Sequence, residues 1–335
     1  MNISKNPPNQ LYWLESLRGI ACMSVVFEHY FSPKTYYFSF GNFGVIVFFL
    51  ISGFIVTAST VRKTNETMFS FILLRIGRLY PAYIISVFFS YFVYSAPNID
   101  LLANLTMFQR FFGVSDINGV YWTLQIEWVF YFIIAASLMF SGISKHKLKI
   151  AFLAFVCIAL VFGAMRFYAN LRAPSAVPIG LSVILISSIF TTENNIIQRS
   201  IYGGIFLVFI VLISSILSYS KDWGYDENPY RFIISDLSAI TIFLLFKLIS
   251  LRSSIFEFFG RISFSLYLFH QPCSKIVKML IGEEGGYVIV ASLIFSIVLS
   301  YFIFIYIEDP VNRRVKFFVK NRVLRQVDVG FNSKW

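Results

Sequence analysis

Arg18 and His29 stand at the two ends of an apolar stretch, eleven positions apart. Eleven residues make close to three helical turns, so on an α-helix the two side chains share one face, about 16 Å apart along the axis. That is about half the hydrocarbon thickness of a bilayer. A guanidinium and an imidazole inside a membrane are costly unless they face protein or a water-filled path. An imidazole titrates near neutral pH and suits general-base work there. The pair is therefore expected to line a route from the cytoplasmic side to a reaction site deeper in the membrane.

Three further groups are candidates for chemistry, and a fourth, Glu308, for an ion pair. Arg75 and Arg78, just before Tyr80-Pro81, are spaced for one helical face, and paired guanidinium forks bind phosphate well. They are equally suited to anchoring a helix at the inner face. In Trp122-Thr123-Leu124-Gln125-Ile126-Glu127, a span opens from the outside and Glu127 falls about two turns in. A carboxylate at that depth is a functional candidate whose expected partner is a His or Arg; a protonated structural Glu is the alternative. His270 sits mid-span beside Pro272, either a helix–helix bonding group or, with Trp122, a substrate contact. Glu308 ends the last span and is expected to pair with Arg313, Arg314 or another inner Arg. Cys22, Cys157 and Cys273 suggest neither a disulfide framework nor a metal site.

The elements that must position these groups are membrane spans. The chain is 57% hydrophobic and 13% charged, with 40 Phe, whereas a soluble domain carries about 25% charged residues. Spans of about 20 residues are expected near 17–33, 43–60, 79–95, 121–141, 148–168, 175–192, 200–218, 231–250, 260–280 and 287–307. The fold class is an all-α polytopic bundle of about ten spans, a single domain over 1–335 with tails at about 1–16 and 308–335. The first helix is read as a retained span rather than a signal peptide. A net charge of +11 would raise nucleic-acid binding in a soluble protein; here the positive-inside rule explains it. Placing both termini in the cytoplasm puts most Lys and Arg inside, led by Arg62, Lys63, Lys145, Lys147, Lys149 and the run from Arg313 to Lys334. Gly44 and Gly53 point to opposite faces of the second span, so each is expected to admit a different neighbour. The sixth and seventh spans are the weakest, rich in Ser with few anchors. Outside, Leu101–Phe112 reads as an amphipathic piece at the interface. Ser218–Tyr230, with Asp222, Trp223, Asp226 and Glu227, is a polar loop whose aromatics and carboxylates would also suit a sugar-binding lip.

Taken in order, Leu17-Arg18-Gly19-Ile20-Ala21, Arg18 with His29, Phe48-Phe49-Leu50-Ile51-Ser52-Gly53-Phe54, Arg75 with Arg78, Trp122-Thr123-Leu124 with Glu127, and Ser265-Leu266-Tyr267-Leu268-Phe269-His270 resemble the motifs of integral-membrane acyltransferases of the acyltransferase-3 group. That group includes O-acetyltransferases of bacterial surface polysaccharides. The resemblance runs from Leu11 to about Arg314. It implies transfer of an acyl group, usually acetyl from acetyl-CoA, to a carbohydrate hydroxyl such as one on O-antigen or exopolysaccharide, in a bacterial inner membrane. It makes Arg18 and His29 the functional signature and associates Arg75 and Arg78 with acyl-CoA use. Glu28 departs from the pattern, where an apolar or aromatic residue is usual; it either tunes His29 or, as its position about 100° around the helix favours, only reaches the outer interface. No soluble esterase-like domain follows the last span, so a second transfer step is expected to need a separate partner. Glu127 is expected to orient His29 if the two meet. The rival class is a proton-coupled transporter or channel using the same intramembrane charges as a relay, though no inverted repeat is visible.

Overall fold

The computed structural model describes residues 9–31, 37–62, 67–140, 142–171, 173–192, 228–282 and 285–332. Among these residues the chain is helical and has no strand. The helices are α1 (Asn9–Phe31), α2 (Phe40–Arg62), α3 (Met68–Tyr94), α4 (Asn98–Leu105), α5 (Trp122–Phe140), α6 (Lys145–Ala169), α7 (Ala176–Thr192), α8 (Pro229–Ile249), α9 (Ser254–Ile281), α10 (Gly286–Ile303) and α11 (Asp309–Asn332). A 3-10 turn covers Gln109–Phe112, and a π-helical segment, Phe304–Glu308, joins α10 to α11. Six of these helical runs are long and apolar enough to cross a membrane, so this is a multi-pass membrane protein. The expected seventh span at 200–218 and most of the 218–230 loop lie outside the described residues.

Three boundaries differ from the sequence expectation, each for a local reason. α1 begins at Asn9, not near Leu17, because Trp13, Leu14 and Leu17 form a buried stripe; Trp13 packs against Phe54 and Phe243 at 5.6 and 6.0 Å between ring centres. Arg18 therefore sits mid-helix rather than opening it. α3 begins at Met68 because the Thr67 side chain accepts the Ser70 N–H at 3.2 Å, an N-cap of the usual kind. Arg75 and Arg78 thus lie within the helix, and Pro81 is interior to it. At the other end, helix does not stop at Glu308: it passes through the π segment into α11, so the expected tail from 308 is helical to Asn332.

The described residues group into two compact units. The first contains α1, α2, the Ile126–Phe130 turn of α5, α6, α7, α8 and α9 as far as Ser263. Its helices approach at glycines. A Cβ on Gly19 would fall 2.0 Å from the Phe256 carbonyl oxygen, and one on Gly260 would fall 1.9 Å from that of Glu15, so α1 and α9 touch backbone to backbone. Gly44 faces α1 at Ala21 while Gly53 faces α7 at Ile184, the two different neighbours the spacing predicts. The serines that made α7 look weak hold it in place: Ser187 donates to the Leu50 carbonyl at 2.6 Å and Ser188 to that of Gly53 at 3.3 Å. Such bonds join helices where no water competes.

The second unit contains α3, α4, the 3-10 turn, the rest of α5, α9 from Phe264, α10 and α11. Between α3 and α5 the chain folds on Asn104, whose side chain donates to the carbonyls of Asp100 and Ser115 and accepts the Ile117 N–H, at 2.8 to 3.1 Å. Ile99, Leu102, Phe111 and Phe112 stay exposed, as an amphipathic interfacial segment requires.

Candidate active site

Along the unbroken α1, Arg18 and His29 share a face three turns apart. Arg18 is half-buried and His29 is exposed. The imidazole bonds to the backbone of Val25, one turn earlier. The close contact of Gly19 with α9 holds the helix rigidly beside Arg18. The other end of α1 is tied by Glu28. Its carboxylate accepts from Arg231 of α8 at 2.6 Å, from the Phe40 N–H at 3.0 Å and from the Ser39 hydroxyl at 3.4 Å. Glu28 therefore does not simply reach the outer interface: it links α1, the start of α2 and α8, one residue before the imidazole. Beside this link, Asn42 donates to the buried carboxylate of Asp236, and the Ser39 N–H donates to Ser235 at 2.8 Å.

Glu127 belongs to the same unit. It is half-buried, and its carboxylate accepts from Ser52 at 2.9 Å. Ser52 is the hydroxyl of the Phe48–Phe54 motif, so two of the motifs meet through one bond.

The other candidates lie in the second unit. Arg75 is buried, its guanidinium 5.0 Å from the ring centre of Phe71 and 5.3 Å from that of Tyr131, cation–π contacts that hold the charge in a fixed place. Arg78 is half-buried on the same face. Lys316 of α11, exposed, stands within electrostatic reach of both. Glu308, expected to pair with an inner Arg, accepts from Ser265 at 2.6 Å, and Arg313 bonds Asp309 at 2.7 Å.

Trp122 starts α5 and is half-buried. His270 is fully buried, with Nδ1 2.8 Å from the Tyr267 carbonyl and 3.1 Å from that of Leu266, so its ring is turned back on its own helix. Pro272 explains the surroundings. It has no N–H for the Leu268 carbonyl four residues earlier, and that carbonyl is taken by Asn118 at 2.8 Å and Ser86 at 3.3 Å. Thr123 and Tyr267 share a hydroxyl bond of 2.9 Å nearby, which ties the motifs of α5 and α9 together.

The sequence reading missed three participants: Arg231 as the partner of Glu28, the Asn42–Asp236 bond, and Lys316. The last was absorbed into a basic tail. Among the described residues, no group of three or more His, Cys, Asp or Glu side chains is placed to hold a metal ion.

Comparison with known proteins bears on the chemistry. The acyltransferase domain profile, Acyl_transf_3, matches residues 11–305. A protein of Staphylococcus aureus (strain COL), named "Putative O-acetyltransferase", is 23% identical over 350 residues, covering 89% of this chain and 56% of its own length. An "O-acetyl transferase" of Shigella phage Sf6 is 26% identical over 182 residues, 44% of this chain and 50% of its own. "Nodulation protein 10" of Rhizobium leguminosarum bv. viciae is 31% identical over 115 residues, 26% of this chain and 30% of its own. The chain spans about half the length of the curated relatives it matches. No solved structure matches it.

Proposed function

The chain belongs to the acyltransferase-3 family, and on that premise we propose that it is a membrane-bound O-acetyltransferase of a bacterial inner membrane. It moves an acetyl or other acyl group from cytoplasmic acyl-CoA to a hydroxyl of a cell-surface carbohydrate such as O-antigen or exopolysaccharide. The observation that carries this is an exposed imidazole, His29, on one face of α1 with Arg18 three turns away. The names of the relatives from Staphylococcus aureus and phage Sf6 support the acyl group and the oxygen acceptor.

The chemistry follows from the side chains. A neutral imidazole with one nitrogen donating to the Val25 carbonyl offers its other nitrogen as an acceptor. That nitrogen takes the proton of the acceptor hydroxyl as its oxygen bonds to the thioester carbonyl carbon. The carbonyl electron pair moves to oxygen, while Arg18, three turns along the helix from the imidazole, guides the pantetheine arm of the donor. Collapse breaks the carbon–sulfur bond, and the imidazolium returns the proton to the departing thiolate. The products are an O-ester and free CoA. In a second route His29 itself carries the acyl group in transit. Arg75 and Arg78 hold the donor phosphates. Glu127 orients the reacting groups through the hydroxyl of Ser52. Trp122 contacts the acceptor, and His270, bonded to the Leu266 and Tyr267 carbonyls, fixes its own turn of α9.

Two measurements test this. Surface glycan from cells with and without the gene, compared by mass and NMR, is expected to differ by an ester on a defined hydroxyl; identical glycans would remove the proposed acceptor class. His29→Ala protein that folds normally is expected to lose transfer, and full retention of activity would rule out both routes.

A further inference from the structure

The basic residues of α11 lie along α3. A Cβ on Gly77 would sit 2.7 Å from a methyl carbon of Val315, and the guanidinium of Arg322 lies 4.5 Å from the ring centre of Phe69. Moving back along α3 from Gly77 to Phe69 thus matches moving forward along α11 from Val315 to Arg322. The helices are antiparallel and nearly one-to-one in register. In that register Arg78, next after Gly77, stands beside the run Arg313-Arg314-Val315-Lys316. Lys316 feels the positive charges of Arg78, Arg75 and Arg313, with Asp309 opposing, and Asp309 is itself bonded to Arg313.

Orientation in the membrane needs only that cations be on the inner side. It does not need them to converge from two helices packed at a glycine, with one guanidinium buried between aromatic rings. Like charges so gathered repel one another, and a polyanion bound there turns that cost into affinity. We propose that Lys316 completes, with Arg75 and Arg78, a three-cation site for the phosphate groups of the acyl-CoA donor. This rests on the donor reading above and extends the site from one helix to two. Lys316 acts as a point charge for a phosphate, whereas the two guanidinium groups provide directed forks.

The test uses the purified full-length chain in nanodiscs of neutral lipid, where anionic headgroups cannot occupy the site, with acetyl-CoA and glycan acceptor varied separately. Loss of one charge-assisted contact predicts that Lys316→Gln raises KM for acetyl-CoA about tenfold, leaves kcat and acceptor KM unchanged, and weakens inhibition by free CoA in parallel. Lys316→Arg is expected to restore KM. An unchanged donor KM in Lys316→Gln, or an equal rise in Lys316→Arg, overturns the role of Lys316. Arg78→Gln, measured alongside, separates the two levels. If its donor KM rises while that of Lys316→Gln does not, only the α11 contribution fails; if neither rises, the donor site on α3 fails with it.

Discussion

Ion pairs occur in both units, but only one of the units also gathers cations. In the first, arginines are matched to carboxylates: Arg231 to Glu28 at 2.6 Å, Arg252 to Glu257 at 2.5 Å and Arg261 to Glu15 at 3.7 Å. Two of these pairs hold the helix that carries Arg18 and His29. In the second, Arg110 is paired with Asp116 at 2.5 Å and Arg313 with Asp309 at 2.7 Å, but Arg75, Arg78 and Lys316 also lie within electrostatic reach of one another along α3 and α11. Matched charges position a helix; gathered like charges prepare a place for an anion. The same residue type, arginine near a membrane surface, thus does different work according to what surrounds it.

Removing the imidazole is expected to have the largest effect. His29→Ala should lower turnover about 10²- to 10⁴-fold with little change in donor KM, read from release of CoA thiol; a matching rise in donor KM would mean that the first unit also binds the donor. Breaking a matched pair comes next. Glu28→Ala strands Arg231, whose side chain is only 14% exposed, and should cost about 2 kcal/mol, seen as a lower melting temperature in detergent. Adding Arg231→Met should recover part of that loss, and no recovery would show that the pair does not act as a unit. Arg78→Gln should raise donor KM about tenfold with the melting temperature nearly unchanged, the reverse of the Glu28 pattern. If it lowers stability instead, the second unit's cations are structural like those of the first. The smallest effect belongs to the carbonyl freed by Pro272. Asn118→Ala should cost about 1 kcal/mol, and less in a Pro272→Ala background, where residue 272 regains an N–H for Leu268.

The local sequence carried most of the helical fold because apolar runs of span length are a strong signal. The opposed faces of Gly44 and Gly53 were readable from helical periodicity alone. Helix ends were harder: the Trp13-Leu14 start of α1 is short and sits among polar residues, and Thr67 caps α3 twelve residues before the hydropathy rise expected at 79. The site was legible where one helix carries it, as with Arg18 and His29, or Arg75 and Arg78. It was not legible where partners come from distant segments. Glu28 and Arg231 are separated by 203 positions, and no periodicity links them. Lys316 was hidden because a basic run after a span has an ordinary explanation in membrane topology, and only the packing of its neighbour Val315 against Gly77 sets it apart.

The most direct measurement gives purified protein acetyl-CoA labelled in the acetyl group together with a glycan acceptor. Free CoA thiol and labelled glycan should appear in equal amounts, only when acceptor is present, and neither should appear with His29→Ala. Uptake of a solute into vesicles with no thiol released and no label on the glycan would contradict the account and leave the intramembrane charges to transport.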